Sequence, residues 1–209
     1  MTDPQKVGQE MRSSAHPVRN RRPEGGGACP PRLFLITGER GAGKTTFCRV
    51  FIDRLRERSA ANLDMAGIVS AGVWEGNRKV GIDAVAVRSG ERRCLAIIRR
   101  GGSAGPGTQS WVFQPETVAW ANRLLAQAVP CDVLVVDELG PLEWLQGQGF
   151  MAGIEAVSSG HYRHALAVVR AGLLDHAMPH WPQAKVIWVD SISQARALAR
   201  HWAQQLEVL

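Results

Sequence analysis

The amino-acid sequence predicts an α/β fold with a mostly parallel central sheet, and three observations support this prediction. Short apolar runs alternate with segments of helical periodicity, the first apolar run ends in a glycine-rich turn, and a β-rich stretch interrupts the alternation. The alternation predicts parallel strands with helices on both faces, in three layers, whereas the interruption predicts an antiparallel β meander.

The first elements lie on either side of the glycine-rich turn. Residues 33–37 are a short apolar run closed by glycine, which is typical of a strand buried on both faces. Apolar residues recur at helical spacing after the turn, so we expect a helix over 44–58. From Gly67 onward, three β-rich runs are separated by turn signals at 75–77 and 89–91, and these runs are the predicted meander.

The rest of the chain returns to alternating strands and helices after a glycine-rich loop at 101–107. The predicted elements are an edge strand at 111–113, a helix from Pro115 to about Ala128, strands at 133–136, 166–169 and 186–189, and a helix from Ser193 to about Leu206.

Residues 1–32 are predicted to be a disordered basic tail, and 33–209 a single domain. The tail is rich in Pro and Gly and has almost no large apolar side chains, so it cannot offset its ordering entropy. It holds half of the net charge of +6, which leaves the domain only mildly basic. The domain also lacks a basic stretch interleaved with aromatic residues, so we do not expect nucleic acid as a partner.

Apolar segments and cysteines bear on location. No apolar run has the length of a secretory signal core or of a membrane span. The four cysteines are scattered without a Cys-x-x-Cys pair, which argues for free thiols. We therefore expect a cytoplasmic monomer that does not contact membranes.

The glycine-rich turn has the spacing Gly-x-x-x-x-Gly-Lys-Thr, ending at Lys44 and Thr45. This spacing lets successive backbone N–H groups converge on phosphate oxygens, and the N-terminus of the following helix adds its dipole. Lys44 is expected to reach the β- and γ-phosphate oxygens, and the Thr45 hydroxyl to bind Mg²⁺. The predicted nucleotide-binding residues are Gly38, Glu39, Arg40, Gly41, Ala42, Gly43, Lys44, Thr45 and Thr46.

Two adjacent carboxylates end the strand at 133–136. Asp137 is expected to hold Mg²⁺ directly or through water, and Glu138 to orient and deprotonate a water molecule that attacks the γ-phosphate. A kinase has less use for a water-activating carboxylate at this position, so the pair favours hydrolysis.

Arg170 ends the next strand. In P-loop proteins with an acid at the position of Glu138, this strand lies between the phosphate-loop strand and the strand of the acid, so we expect Arg170 to face the γ-phosphate. It is the predicted catalytic arginine, either a sensor or a finger supplied in cis, although an arginine at the surface end of a strand remains the alternative. The loop after Trp188 and Asp190 is the expected neighbour of the base, with Trp188 itself expected in the core.

Three stretches, "TGERGAGKTT", "GIVSAGVWEGNRKVGID" and "VVDELGPLEW", resemble in this order the nucleoside-triphosphatases of thermophiles and animals. The resemblance covers about 33–158, and more loosely the rest. It implies a RecA-like P-loop NTPase domain and Mg²⁺-dependent hydrolysis of several nucleoside triphosphates to diphosphate and phosphate.

Carried over by residue, the resemblance gives Lys44 and Thr45 the phosphate and magnesium positions, Asp137 the Walker B position and Glu138 the position of the base. The turn of that family follows at Gly140, Pro141 and Glu143. The meander departs from the family, which has Glu-Val-Arg where this chain has 72–74, Gly-Val-Trp.

The predicted function is therefore hydrolysis of nucleoside triphosphates with Mg²⁺ and broad base specificity. A nucleotide or small-molecule kinase is one alternative, because "RSGERR" and "IIRRGG" could supply arginines over an acceptor. A nucleotide-gated adaptor that binds a protein partner and hydrolyses slowly is the other.

Overall fold

The computed structural model describes residues 32–58, 63–99, 107–108 and 110–206. The predicted tail lies outside these ranges apart from Arg32, which begins the first strand, and the predicted loop at 101–107 lies outside them apart from Gly107. The elements are β1 Arg32–Thr37, α1 Lys44–Arg58, β2 Met65–Glu75, β3 Arg78–Ala86, β4 Arg92–Ile98, β5 Trp111–Phe113, α2 Pro115–Ala126, β6 Cys131–Leu139, α3 Pro141–Gln146, α4 Met151–Ser158, β7 Tyr162–Val169, a 3₁₀ turn Ala171–Leu173, α5 Leu174–Ala177, β8 Lys185–Trp188 and α6 Ile192–Leu206.

The described strands form one eight-stranded sheet in the order β5-β4-β3-β2-β6-β7-β1-β8. Four neighbouring pairs are parallel, namely β2–β6, β6–β7, β7–β1 and β1–β8. The other three, β2–β3, β3–β4 and β4–β5, are antiparallel. The mostly parallel sheet and the meander are thus confirmed. Strand β7 lies between β1 and β6, as predicted, so the C-terminal ends of these strands meet at one edge.

Helices cover the parallel part of the sheet on both faces, which gives the three layers. On one face, α1 and α6 pack against each other over the sheet, and Phe34, Phe47 and Phe51 are nearly inaccessible to solvent. On the other face, α2 and α4 pack together over the sheet around Trp120 and Leu125. The strands between them are almost continuously apolar because both of their faces are buried. Within the described ranges, none of the helices has the length and apolar composition needed to cross a membrane.

Helices α3 and α4 were not predicted from the sequence. They are short, and the glycines at 147 and 149 interrupt the apolar periodicity that indicates a helix. The first of them begins with Pro141 and is capped by Glu143, whose buried carboxylate accepts hydrogen bonds from the backbone N–H groups of Gly140 and Phe150, both at 2.7 Å. Glu143 therefore holds the turn that follows β6.

Candidate active site

The glycine-rich turn connects β1 to α1 at the C-terminal edge of the sheet. Gly38 has a φ of +139°, and a Cβ atom at this position would lie 2.0 Å from the carbonyl oxygen of Val189. Only glycine therefore fits where the chain leaves β1. The N–H of Val189 in turn donates to the carbonyl of Thr37 at 2.8 Å, so the loop is fixed against the segment after β8.

Lys44 is the first residue of α1, and its side chain folds back over the loop. Its Nζ donates to the carbonyl oxygens of Gly38 at 2.7 Å and Glu39 at 2.8 Å. Burial lowers the pKa of the Lys44 ammonium, and the negative charge of Glu138 opposes this change. The lysine thus lies in the field of the carboxylates at the end of β6.

Asp137 lies near the end of β6 and is completely buried. Its Oδ2 accepts a hydrogen bond from the Ser70 N–H at 3.0 Å, and the Ser70 hydroxyl donates to the Asp137 carbonyl at 2.9 Å. Its other carboxylate oxygen, Oδ1, has no hydrogen-bond partner among the described residues. Burial and the charge of Glu138 raise the pKa of Asp137 to about 7, against the opposing effect of the Thr45 hydroxyl.

Glu138 has a backbone conformation that side chains rarely adopt, with φ of +81°. It is the one non-glycine residue with positive φ in the part of the chain that the structure describes. The β6–β7 register shifts between Val136 and Leu139, so the strand is irregular at Glu138. Such strain costs on the order of 1–3 kcal/mol and is concentrated at functional sites.

Arg170 follows β7 and is ion-paired with Glu138, since its Nη2 donates to Oε1 of that carboxylate. Both side chains remain partly exposed, at 46% for Arg170 and 33% for Glu138. The predicted arginine therefore lies beside the predicted base.

These groups face a common open cleft of about 900 Å³. Of the sequence-predicted site residues, the cleft is lined by Gly38, Glu39, Arg40, Gly41, Gly43, Lys44, Thr45, Thr46, Asp137, Glu138 and Arg170. Ala42 differs from them, because its side chain is buried and its N–H donates to the Glu39 carbonyl at 3.2 Å.

The meander contributes residues that sequence reasoning missed. Ser70, Gly72 and Lys79 line the same cleft, together with Trp111 of β5. A polar residue within the apolar run of β2 was a usable signal for Ser70, whereas nothing in the sequence indicated that the hairpin lines the same cleft as the phosphate loop. The expectation for Trp188 was wrong, because this side chain is 45% exposed on the edge strand β8.

A phosphate-binding loop at the C-terminal edge of a mostly parallel sheet, facing an Asp-Glu pair, defines a P-loop protein of the nucleoside-triphosphate-binding class. Comparisons with known proteins identify the family. A family model described as NTPase matches residues 33–198. The nucleoside-triphosphatase THEP1 of Methanopyrus kandleri is 30% identical over 132 residues, covering 63% of this chain and 69% of that protein. THEP1 of Thermococcus kodakarensis is 30% identical over 161 residues, covering 71% and 81%.

Two solved structures share the fold. The solution structure of a human cancer-related nucleoside triphosphatase matches with a TM-score of 0.61 at 22% identity, covering 85% of this chain and 98% of that one. The crystal structure of THEP1 from Aquifex aeolicus matches with a TM-score of 0.56 at 18% identity, covering 84% and 99%. The chain belongs to the NTPase family and is a nucleoside-triphosphatase.

Proposed function

We propose that this enzyme hydrolyses several nucleoside 5'-triphosphates to diphosphate and phosphate, with Mg²⁺ as cofactor and Glu138 as general base. The observation that supports this most directly is the adjacent pair Asp137 and Glu138 in one cleft with the phosphate loop. Asp137 is buried and Glu138 is partly exposed, so the two carboxylates have environments suited to different roles.

The residues present fit a magnesium ion. Oδ1 of Asp137 is a buried oxygen without a hydrogen-bond partner among the described residues. The Thr45 hydroxyl lies near the same carboxylate, since it lowers the pKa of Asp137. The described ranges hold no group of three or more His, Cys, Asp or Glu side chains that could form a metal site by themselves. This matches Mg²⁺, which takes few protein ligands and shares phosphate oxygens and water. Thr45 and Asp137 would hold the ion, which supplies charge neutralisation on the phosphate oxygens when bound.

In this proposal the remaining residues position the substrate and move the proton. The backbone of 38–46 cradles the phosphates, and Lys44 exchanges the carbonyl oxygens it now contacts for phosphate oxygens. Glu138 accepts a proton from water while the water oxygen bonds to the γ-phosphorus and the bond to the β,γ-bridging oxygen breaks. Arg170 exchanges its contact with Glu138 for the transferred phosphate, which frees the base and neutralises developing charge.

Three of the arginines that kept a kinase as an alternative, those of 88–93, have carboxylate partners; of the second stretch, Arg99 donates to the Thr108 carbonyl at 3.0 Å and residue 100 lies outside the described ranges. Arg88 pairs with Asp64 at 2.7 Å, and Arg92 pairs with Asp83 at 3.2 Å. Arg93 pairs with Glu91 and also lies over an aromatic ring. None of these three residues lines the cleft. The positions of these three arginines favour hydrolysis over transfer to a bound acceptor.

Location, assembly and base preference are also part of the proposal. Free thiols at Cys48, Cys94 and Cys131 fit the reducing cytoplasm. We propose a monomer that needs no membrane and no nucleic acid, with a protein partner as a further possibility. Broad base specificity is supported by the absence of a guanine-recognition Asn/Thr-Lys-x-Asp motif from the sequence. Ile192, which lies against Gly43 of the loop, is one of the apolar side chains that line the cleft.

The test is phosphate release from ATP, GTP, CTP and UTP by the wild-type chain and Glu138→Gln, with Mg²⁺ or with a chelator. We expect release from several nucleotides, loss on chelation, and a decrease of about 10²-fold or more in Glu138→Gln, because a positioned base is removed. Glu155→Gln, on the exposed side of α4, is the matched control and should behave as wild type. An unchanged rate in correctly folded Glu138→Gln would refute the role of Glu138, and release from one nucleotide alone would refute the broad specificity.

A further inference from the structure

Lys79, on the hairpin of β2 and β3, occupies a place in the cleft that the proposed mechanism does not use. It pairs with Trp74 across the hairpin and lines the cleft with the phosphate loop. The base of the hairpin is fixed, since β2 pairs in parallel with β6 and Ser70 makes two hydrogen bonds to Asp137. Lys79 lies nearer the tip, next to a register shift between Val73 and Trp74, and there it lines the cleft.

The surroundings of Lys79 leave room for its side chain and give it an apolar support. A Cβ atom on Gly72 would lie 3.0 Å from Cε of Lys79 and 2.8 Å from Nε1 of Trp74, so the glycine provides the space that these side chains use. The Nζ atom lies 5.4 Å from the centre of the Trp111 ring, within the range of a cation–π interaction. This contact orients the ammonium without pairing it with an anion.

The charge of Lys79 acts on the same groups as that of Lys44. Burial lowers the pKa of Lys79, and the carboxylates of Glu138 and Asp137 oppose this change. Among the described residues, Lys79 has no hydrogen-bond or ion-pair partner. By contrast, Lys44 donates to two loop carbonyls and Arg170 is paired with Glu138. Because no partner has to be displaced first, a ligand anion can bind this half-buried ammonium at little cost in free energy.

The sheet order gives the direction from which Lys79 acts. Strand β2 lies on one side of β6 and β7, and β1 with its phosphate loop lies on the other. Lys79 and Lys44 thus reach the cleft from opposite sides, with Asp137, Glu138 and Arg170 between them. A γ-phosphate bound at the end of β6 would lie between the two ammonium groups.

We propose that Lys79 is a further catalytic residue, which binds the γ-phosphate from the meander side and neutralises the charge that develops on it during hydrolysis. This inference rests on the proposed hydrolysis and adds a cation to it. Lys79 contacts an oxygen that the triphosphate has and the diphosphate lacks, so its contribution is specific to the triphosphate and to the transition state.

The experiment compares Lys79→Met and Lys79→Arg with wild type, and uses Lys185→Met on the exposed edge strand as the matched control. Phosphate release gives kcat and KM, and calorimetry gives the affinity for ADP alone, for a non-hydrolysable ATP analogue and for ADP with aluminium fluoride. For Lys79→Met we expect a decrease in kcat of about 10²-fold and weaker binding of the fluoride complex, with unchanged affinity for ADP. Lys79→Arg should recover part of kcat, and Lys185→Met should match wild type.

Gly72→Ala provides an independent test, because its methyl group would displace the side chains of Lys79 and Trp74 without removing a charge. We expect Gly72→Ala to lower kcat, as Lys79→Met does, and to leave the affinity for ADP unchanged. Wild-type values of kcat and of fluoride-complex affinity in folded Lys79→Met would overturn the inference. Absence of phosphate release from the wild-type enzyme would instead refute the proposed hydrolysis. In that case the calorimetric affinities still decide whether Lys79 binds the γ-phosphate, because Lys79→Met should then weaken binding of the ATP analogue and leave binding of ADP unchanged.

Discussion

Replacement of Ser70 by alanine tests how the meander is attached to the active site. Ser70 is 3% exposed, and its hydroxyl donates to the Asp137 carbonyl at 2.9 Å. The variant loses this hydrogen bond and leaves a buried carbonyl without that partner, which costs about 1–3 kcal/mol of unfolding free energy. For a domain of this size the expected decrease in Tm is about 2–4 °C for each kcal/mol. The Ser70 N–H still donates to the carboxylate, so the fold should remain intact.

Urea unfolding followed by circular dichroism measures this effect, and phosphate release measures its consequence for activity. Ser159→Ala is the matched control at an exposed residue, where water can replace the hydrogen bonds of the hydroxyl, which donates to the Ala156 carbonyl at 2.7 Å and accepts from the His161 N–H at 3.2 Å. The control should stay within about 0.5 kcal/mol of wild type. If Ser70→Ala is as stable as the control and equally active, the attachment of β2 to β6 does not depend on this hydroxyl.

Two further predictions concern the loop and acid stability. Gly38→Ala should lose roughly 2–6 kcal/mol of unfolding free energy, because strained backbone and the 2.0 Å contact with Val189 add together. Gly41→Ala has φ of +85° but nothing within 4 Å, so it should lose less in the same urea titration, and equal losses would contradict the steric argument. Burial, aided by nearby arginines, lowers the pKa of His164 to about 4, so the unfolded chain binds its proton first as pH falls. The charged groups around His164 are Arg32, Arg163 and Asp132. The stability that this residue contributes is therefore present above about pH 6.5 and lost as the pH falls from 6.5 to 4. The free energy of unfolding of wild type and His164→Met, measured at several pH values, should decrease less in the variant over this range. Parallel decreases in the two proteins would exclude the effect.

The parts of this enzyme that depend on local pattern were predictable from the sequence. The first strand, the glycine-rich turn and α1 follow from an apolar run, a fixed spacing of glycines and helical periodicity, each within a few residues. The place of β7 between β1 and β6 was expected from similarity to P-loop proteins and not from a local pattern, and this order is confirmed. The contact of Arg170 with Glu138 was not predicted.

The remaining features depend on contacts between distant segments. The hydrogen bonds of Ser70 cross 67 residues of sequence, and no local pattern encodes them. The positive φ of Glu138 arises where β6 leaves its register with β7, although glutamate itself does not favour that conformation. Trp188 was expected in the core from its hydrophobicity, but β8 is an edge strand and leaves it exposed. Tertiary placement decides each of these outcomes.

In the proposed reaction, the charges in the cleft would link binding of the triphosphate to its hydrolysis. The pairing of Arg170 with Glu138 neutralises two groups that the proposed reaction needs separately. A triphosphate offers Arg170 a stronger anion than one carboxylate, so its arrival would separate the pair and free Glu138 beside the attacking water. The positive φ of Glu138 fixes where its side chain enters the cleft, so the proposed base would already be in place when the arginine leaves. A diphosphate lacks the γ-phosphate that competes for Arg170, so the pair would form again once phosphate departs.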